Sequence, residues 1–532
     1  MRTTPHHREQ FSVPATSRGH WTRLAVGLLL AACAVGAGLS GAVHDALWQD
    51  EVGTERVISQ SSVRDALHVI VDMESTPPAF FLLARAADRA ATGLKPETRV
   101  KVTRVALPLA LSAGCAVLTF MLALELMPLW AAILAGLLVS FGPIGDLWGP
   151  LLRAYSMLAF TCVAFAFALE RAAARPGLLR LALLSGVVAL GSLTHYFFLF
   201  TLGAGVLWLL IARLRGSVIA RIGAAVAIGL IPLALWSPDW LRQYRHGIYA
   251  TAPPFNLTHF LQLLPLLFTS NAIVSSTTIV ASTFLTLTVL VSAALLLRPR
   301  QGRLCALFVL VPFLTVSLFV WVSGELIYRD RNLIGVAPFA AIALAWGVAS
   351  LPWRRVSHAA AAVVLALVIA QLGYGEIALG RTPYDRIAAT MIRQGFRRQD
   401  PILWFGGGWA GPFSVGWYLT SRERANTWPR LVLSQPSDGA CGRLEVIARS
   451  ATGRLWLSRH REAILTETSL PAYGDVPEGR RNHPDMVIAR LRWHGVVRPG
   501  TGLVAGNGER PKVRKHWFLI RVAGAHSPCR HV

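Results

Sequence analysis

The stretch LWQDEVGTERVI, Leu47–Ile58, decides how the rest of the chain is read. It follows the first strongly apolar run, Trp21–Val43, and precedes all the others. Carboxylates are costly to place near lipid, so the adjacent Asp50 and Glu51 just beyond a span mark a functional position. Neighbours on a helix do not share a face, so one carboxylate can enter a pocket while the other makes a structural contact or takes a second role. The bland alternative is that Asp50 caps the helix that follows.

Outward from this stretch the chain is apolar. Of 532 residues, 54% are hydrophobic and only 15% charged, with mean hydropathy +0.48; soluble domains carry about 25% charged residues. Runs near the roughly 20 residues that a bilayer span needs recur along the chain. They fall at 22–43, 104–124, 130–148, 153–171, 177–194, 196–213, 218–237, 272–297, 303–322, 332–350 and 356–374. The expectation is a polytopic α-helical membrane protein with about 11 transmembrane helices, not a soluble helical protein. The first run is long for a signal-peptide core and further spans follow, so it reads as an uncleaved helix.

Arginines orient the spans. Arg171, Arg175 and Arg180, then Arg213, Arg215 and Arg221, then Arg298, Arg300 and Arg303, then Arg354 and Arg355 lie in alternate turns. With residues 1–21 they share the cytoplasmic side. The outer loops are then 44–103 and 238–271, around a transmembrane module 22–374. Counting Pro77–Thr92 as a span would invert this order, and its Arg85, Asp88 and Arg89 argue instead for an amphipathic helix at the outer surface. The net charge of +24 fits anionic lipid or an anionic substrate. The basic residues cluster between apolar runs, which speaks for membrane orientation over nucleic acid.

The tail, 375–532, is polar and reads as an extracytoplasmic α/β domain. Helices are expected at Arg386–Phe396 and Pro412–Leu419, and strands at Pro401–Phe405, Arg430–Leu433, Arg454–Ser458 and His516–Val522. Gly406-Gly407-Gly408 lacks the context of a phosphate loop and reads as a tight turn. Cys441 and Cys529 can pair if the tail faces an oxidising space. No cysteine or histidine spacing suggests a zinc site, and no metal or other cofactor is expected.

Polar residues at span ends fall on the side of Asp50: Arg104, Arg153 with Tyr155, His195 and Arg331. Arginine is suited to holding a phosphate through charge-assisted, often bidentate bonds. An Asp is suited to taking a proton from an attacking hydroxyl. Each arginine alone can be an interfacial anchor whose head group snorkels, and His195 alone a satisfied interfacial histidine.

Trp48-Gln49-Asp50-Glu51, followed by Thr76-Pro77-Pro78-Ala79-Phe80-Phe81, resembles the first outer loop of GT-C glycosyltransferases, in the branch of the protein O-mannosyltransferases and lipid A aminoarabinose transferases. Those enzymes carry W-x-D-E and often H-P-P-L-Y-Y; Thr76 stands here in place of the histidine. R-A-Y-S at 153–156, T-H-Y at 194–196 and R-N-L-I-G-V-A-P at 331–338 are similar to further segments of the family, with Asn332 replacing a tyrosine. The resemblance implies an inverting transferase of the plasma (inner) membrane. It would move a sugar from a polyprenyl-phosphate donor to a lipid, glycan or protein acceptor on the outer face. It makes Asp50 the general base with Glu51 in support, Arg104, Arg153 and Arg331 the donor-phosphate residues, and Thr76, Pro77, Tyr155 and His195 the pocket. The rival is a transporter or flippase of lipid-linked sugars, which would place ionisable groups near the midplane and often show repeats.

Overall fold

The computed structural model describes residues 17–245, apart from 45 and 48, and 287–370, apart from 289, 298–299 and 325–329. Beyond these it describes residue 372, helix Tyr384–Arg393, a helix at 414–419 and seven strands. The chain divides into two units, 1–44 with 53–379 and 45–52 with 380–532.

The first unit is helical. It contains α1 (Ser17–His44), α2 (Gln49–Ile58, whose first residues belong to the second unit), α3 (Val63–Met73), α4 (Ala79–Ala90) and α5 (Pro96–Arg104). It continues through α6 (Ala110–Ala123), α7 (Leu129–Phe141), α8 (Tyr155–Ala174), α9 (Leu178–Ser192), α10 (Phe198–Ile211) and α11 (Gly216–Arg245). Helices Arg300–Ser323, Ala337–Ala349 and Arg354–Ile369 follow. Among the described residues, five helices are long and apolar enough to cross a membrane, and four shorter apolar ones accompany them. The chain is thus a polytopic helical membrane protein.

Burial ranks the spans. The apolar window of α8 is 72% buried, against 22% for α11, so α8 is central and α11 peripheral. Lipid tails are as apolar as leucine, so helices here associate by close packing at small residues. A Cβ on Gly229 of α11 would lie 2.6 Å from the Ser185 carbonyl of α9, and one on Gly136 of α7 would lie 2.6 Å from Leu30 of α1. Ser140 Oγ donates to the Leu30 carbonyl at 3.1 Å, a polar bond between α7 and α1.

Several sequence boundaries move. The third apolar run is helical only to Phe141. Gly142-Pro143, Gly145 and Gly149-Pro150 turn the chain there, and a Cβ on Gly149 would lie 1.9 Å from the Ile144 carbonyl. The second run begins earlier, because Pro96–Ala123 is one continuous helical stretch. A π turn at Val105–Leu109 accommodates Pro108, whose ring and missing N–H disrupt an ordinary α turn. The amphipathic segment after Pro77-Pro78 is α4, which buries Phe80, Phe81, Ala84, Arg85 and Asp88. The segment 238–271, expected as the second outer loop, opens as helix. The helix runs through Pro232 and Pro238 to Arg245, with Trp236 and Gln243 buried.

The second unit holds a five-stranded sheet in the order β2-β1-β3-β4-β7. Its strands are β1 (Ile402–Phe405), β2 (Arg430–Leu433), β3 (Glu462–Thr468), β4 (Met486–Arg492) and β7 (Arg514–Ile520). β1 pairs in parallel with β2 and β3, while β3, β4 and β7 pair antiparallel. β5 (Val496–Arg498) and β6 (Gly502–Val504) form a separate pair. The expected helices and three of the four expected strands have counterparts here. The strand at 454–458, the glycine run 406–408 and both tail cysteines lie outside the described residues.

Candidate active site

Arg153 ends the turn before α8, and its position follows from the bonds around it. Nη1 donates to Thr54 Oγ1 at 3.1 Å and to Glu74 Oε1 at 3.0 Å. Nη2 lies 3.0 Å from Glu74 Oε2, making the pair a two-pronged salt bridge. The guanidinium also sits 5.9 Å from the centre of the Phe81 ring. α2, the segment after α3, α4 and α8 therefore converge on one arginine. Gly53 permits the approach, because a Cβ there would lie 3.0 Å from Glu74 Oε1.

Arg331 stands 5.9 Å over the Tyr155 ring, and Tyr155 meets Trp148 edge-on at 5.5 Å. His195 is buried in the turn between α9 and α10, and its Nδ1 accepts from Phe197 N–H at 3.3 Å. Burial, then the charges of Arg153 and Arg331, push its imidazole down to about 3. His195 is therefore neutral at physiological pH and cannot add a third positive charge. Arg153, Tyr155, His195 and Arg331 thus come together, with Glu74 as the acidic partner of Arg153.

Thr76 and Pro77 are buried on the same segment as Glu74. The Thr76 hydroxyl is buried without a hydrogen-bond partner, as is that of Ser156 beside Tyr155. Such groups are rare in a finished core and common where a ligand completes the bonding. Arg104 is buried, and its Nη1 donates to the Ala42 carbonyl in the last turn of α1 at 3.4 Å, so it also works as a helix cap.

In the second unit, Asp50 and Glu51 open α2, and Glu51 is fully buried. The backbone N–H of Leu47 donates to Tyr418 Oη at 2.6 Å, so helix 414–419 fastens the segment that carries both acids. Trp48 lies outside the described residues.

Sequence reasoning missed Glu74, Thr54, Gln243 and Tyr418. The signal for Glu74 was present: an acid in V-D-M-E-S-T-P-P, within the loop already singled out. Gln243 and Tyr418 had none, because their partners lie 167 and 371 residues away.

A second buried group braces the first unit. Asp88 of α4 holds Arg99 of α5 in a two-pronged pair, with Nε to Oδ1 at 2.9 Å. Glu55 of α2 faces them, and burial, with Asp88 adding, pushes its carboxyl up to about 8. Arg85 donates to the carbonyls of Ile58, Gln60 and Ser61, closing the end of α2.

No protein-family model matches this sequence, and no curated protein matches it. Solved structures do. ArnT from Cupriavidus metallidurans bound to undecaprenyl phosphate superposes with TM-score 0.52 at 11% identity, covering 89% of this chain and 98% of that one. The same protein in the apo state gives 0.51 at 13% identity, covering 85% and 94%. The archaeal oligosaccharyltransferase AglB from Archaeoglobus fulgidus, in complex with an inhibitory peptide and a dolichol-phosphate, gives 0.50 at 10% identity, covering 85% and 70%. The fold of this chain is therefore the GT-C fold.

Proposed function

We propose that the chain is a glycosyltransferase that moves a sugar from a polyprenyl-phosphate donor to a lipid, glycan or protein acceptor on the extracytoplasmic face. The observation that carries this reading is the gathering of Arg153, Arg331, Tyr155 and His195, with Glu74 paired to Arg153. It occurs in a fold that ArnT uses with undecaprenyl phosphate bound.

In this reading Asp50 takes the proton of the acceptor hydroxyl as its oxygen attacks the anomeric carbon. The carbon–oxygen bond to the phosphate breaks with inversion, and the polyprenyl phosphate leaves as an anion. Arg153 and Arg331, with Arg104, stabilise that charge, so the chemistry needs no metal. Glu51 supports the base. Thr76, Pro77, Tyr155 and a neutral His195 line the pocket. The module 22–374 has about eleven spans in the plasma membrane, with residues 1–21 cytoplasmic and loops 44–103 and 238–271 outside. The tail 375–532 is an extracytoplasmic α/β domain.

The test is transfer by the purified full chain from a panel of polyprenyl-phosphate sugars, scored by mass spectrometry of envelope acceptors. Transfer by wild type and none by Asp50→Asn supports the reading. No transfer with any donor, together with movement of an intact lipid-linked sugar across proteoliposomes, would replace it with the transporter.

A further inference from the structure

A buried hydrogen-bond chain runs from α11 to the segment that carries Glu74. Gln243 is completely buried two residues before α11 ends. Its Nε2 donates to the Ile70 carbonyl at 3.0 Å and the Thr76 carbonyl at 3.2 Å. Its Oε1 accepts from Tyr196 Oη at 2.6 Å, and that hydroxyl accepts from Trp236 Nε1 at 3.1 Å. The Tyr196 ring stacks on Trp240 at 4.9 Å. Every donor in this chain meets an acceptor, so the amide has one orientation and both its ends are engaged.

The two carbonyls bracket Glu74. Ile70 lies four residues before it, in the last turn of α3, and Thr76 two residues after it. Between them the chain leaves the helix, because Glu74 has extended backbone angles. An irregular segment has few internal bonds to fix it. Tyr196 belongs to the turn that carries His195, and a further bond from Ala79 N–H to the Leu193 carbonyl at 2.9 Å joins that turn to the start of α4.

We infer that Gln243 is a positioning residue that holds the Glu74–Thr76 segment and the His195 turn in register around Arg153. The reading of these residues as a transferase site is the proposed function above, and the inference about their use rests on it. Gln243 touches neither donor nor acceptor in this role. Its loss shifts Glu74, and with it the aim of Arg153, so turnover falls while donor affinity holds. A displacement of about 1 Å at a reacting centre is enough to cost on the order of a hundredfold.

The experiment uses the full chain in nanodiscs with Gln243→Leu, Gln243→Glu and Tyr196→Phe. Tyr196→Phe keeps the stack on Trp240 and removes only the hydroxyl. The first readout is amide hydrogen exchange of residues 70–79, which needs no substrate. Exchange in Gln243→Leu should rise by about tenfold, with α8 and α9 unchanged, and Tyr196→Phe should show a smaller rise. Gln243→Glu should exchange faster at pH 8 than at pH 5 once intrinsic rates are removed, because only the protonated acid can donate. The second readout is kinetics with the panel member that wild type uses. kcat should fall by about tenfold or more with KM nearly constant. Unchanged exchange in Gln243→Leu overturns the inference, as does raised exchange with wild-type kcat. If wild type transfers no sugar, the transferase reading fails by itself, and the anchoring of residues 70–79 stands or falls on exchange alone.

Discussion

α8 has an arginine near each end, and the two ends treat it differently. At the start, Arg153 bonds to side chains, the Glu74 carboxylate and the Thr54 hydroxyl. At the far end, 20 residues and about 30 Å away, Arg171 meets the Glu125 carboxylate at 2.7 Å in an exposed pair and Arg300 lies 3.6 Å from that of Glu170, while the other bonds of the basic groups go to backbone. Arg300 donates to the Glu170 carbonyl, Arg303 to that of Ile211, and Arg180 to those of Arg171 and Arg175. Trp208 returns a bond to the Arg300 carbonyl and stacks under its guanidinium. The far end closes helix termini whose last carbonyls lack partners within the helix. The Arg153 end places charge where a carboxylate or phosphate can exchange for it. An arginine paired at the surface or spent on helix-end carbonyls is structural, whereas one buried with its acid beside unbonded hydroxyls is poised for a ligand.

The largest effect should come from Asp50→Asn. Shape is kept and basicity removed, so transfer should fall about a hundred- to ten-thousand-fold with folding intact. Glu51→Gln should cost less. Since Asn is a good helix cap, near-normal transfer by Asp50→Asn would mark Asp50 as a cap.

Next, the two arginines should part company. Glu74→Gln leaves Arg153 buried without its full counter-charge, and breaking such a pair costs about 3–5 kcal/mol. Arg153→Lys should weaken donor use, because a point charge replaces the planar fork. Arg300→Lys should lower thermal stability in detergent but leave transfer per folded molecule intact. Equal loss of turnover in Arg153→Lys and Arg300→Lys would erase the distinction.

A smaller effect is expected from pH. Glu55 is raised from 4.5 to about 8, so the folded state holds its proton more tightly than the unfolded state. Its stabilisation is complete below about 4.5 and is lost as pH rises to about 8. His195 is lowered from 6.5 to about 3, so its stabilisation is complete above 6.5 and is lost as pH falls to about 3. Thermal melts across pH should show both slopes. Glu55→Gln should flatten the alkaline arm and His195→Gln the acid arm. Slopes unchanged by either substitution would place the responsible groups elsewhere.

The smallest effect should be that of Gly53→Ala. The new Cβ, 3.0 Å from Glu74 Oε1, asks the carboxylate to move by a few tenths of an ångström. A modest fall in turnover with little change in melting temperature is expected. A wild-type rate would show that the pair tolerates the shift.

Hydropathy by itself placed most of the helices, because bilayer thickness prescribes a length and a composition that a linear pattern displays. Short apolar runs in the tail likewise placed three of its seven described strands, β1, β2 and β7. The acids at 50 and 51 and the arginines at 153 and 331 were legible because charge beside a span is costly and therefore conspicuous. The ends of α7 and α11 were not legible. Tight turns at Gly142–Pro150 and a helix carried through Pro238 depend on which neighbour supplies the missing contacts. Nor did the sequence reveal that Arg153 answers to Glu74, Gln243 to residues 70 and 76, or Leu47 to Tyr418. Each bond joins segments distant along the chain, and only folding brings them within the 3 Å or so over which hydrogen bonds act.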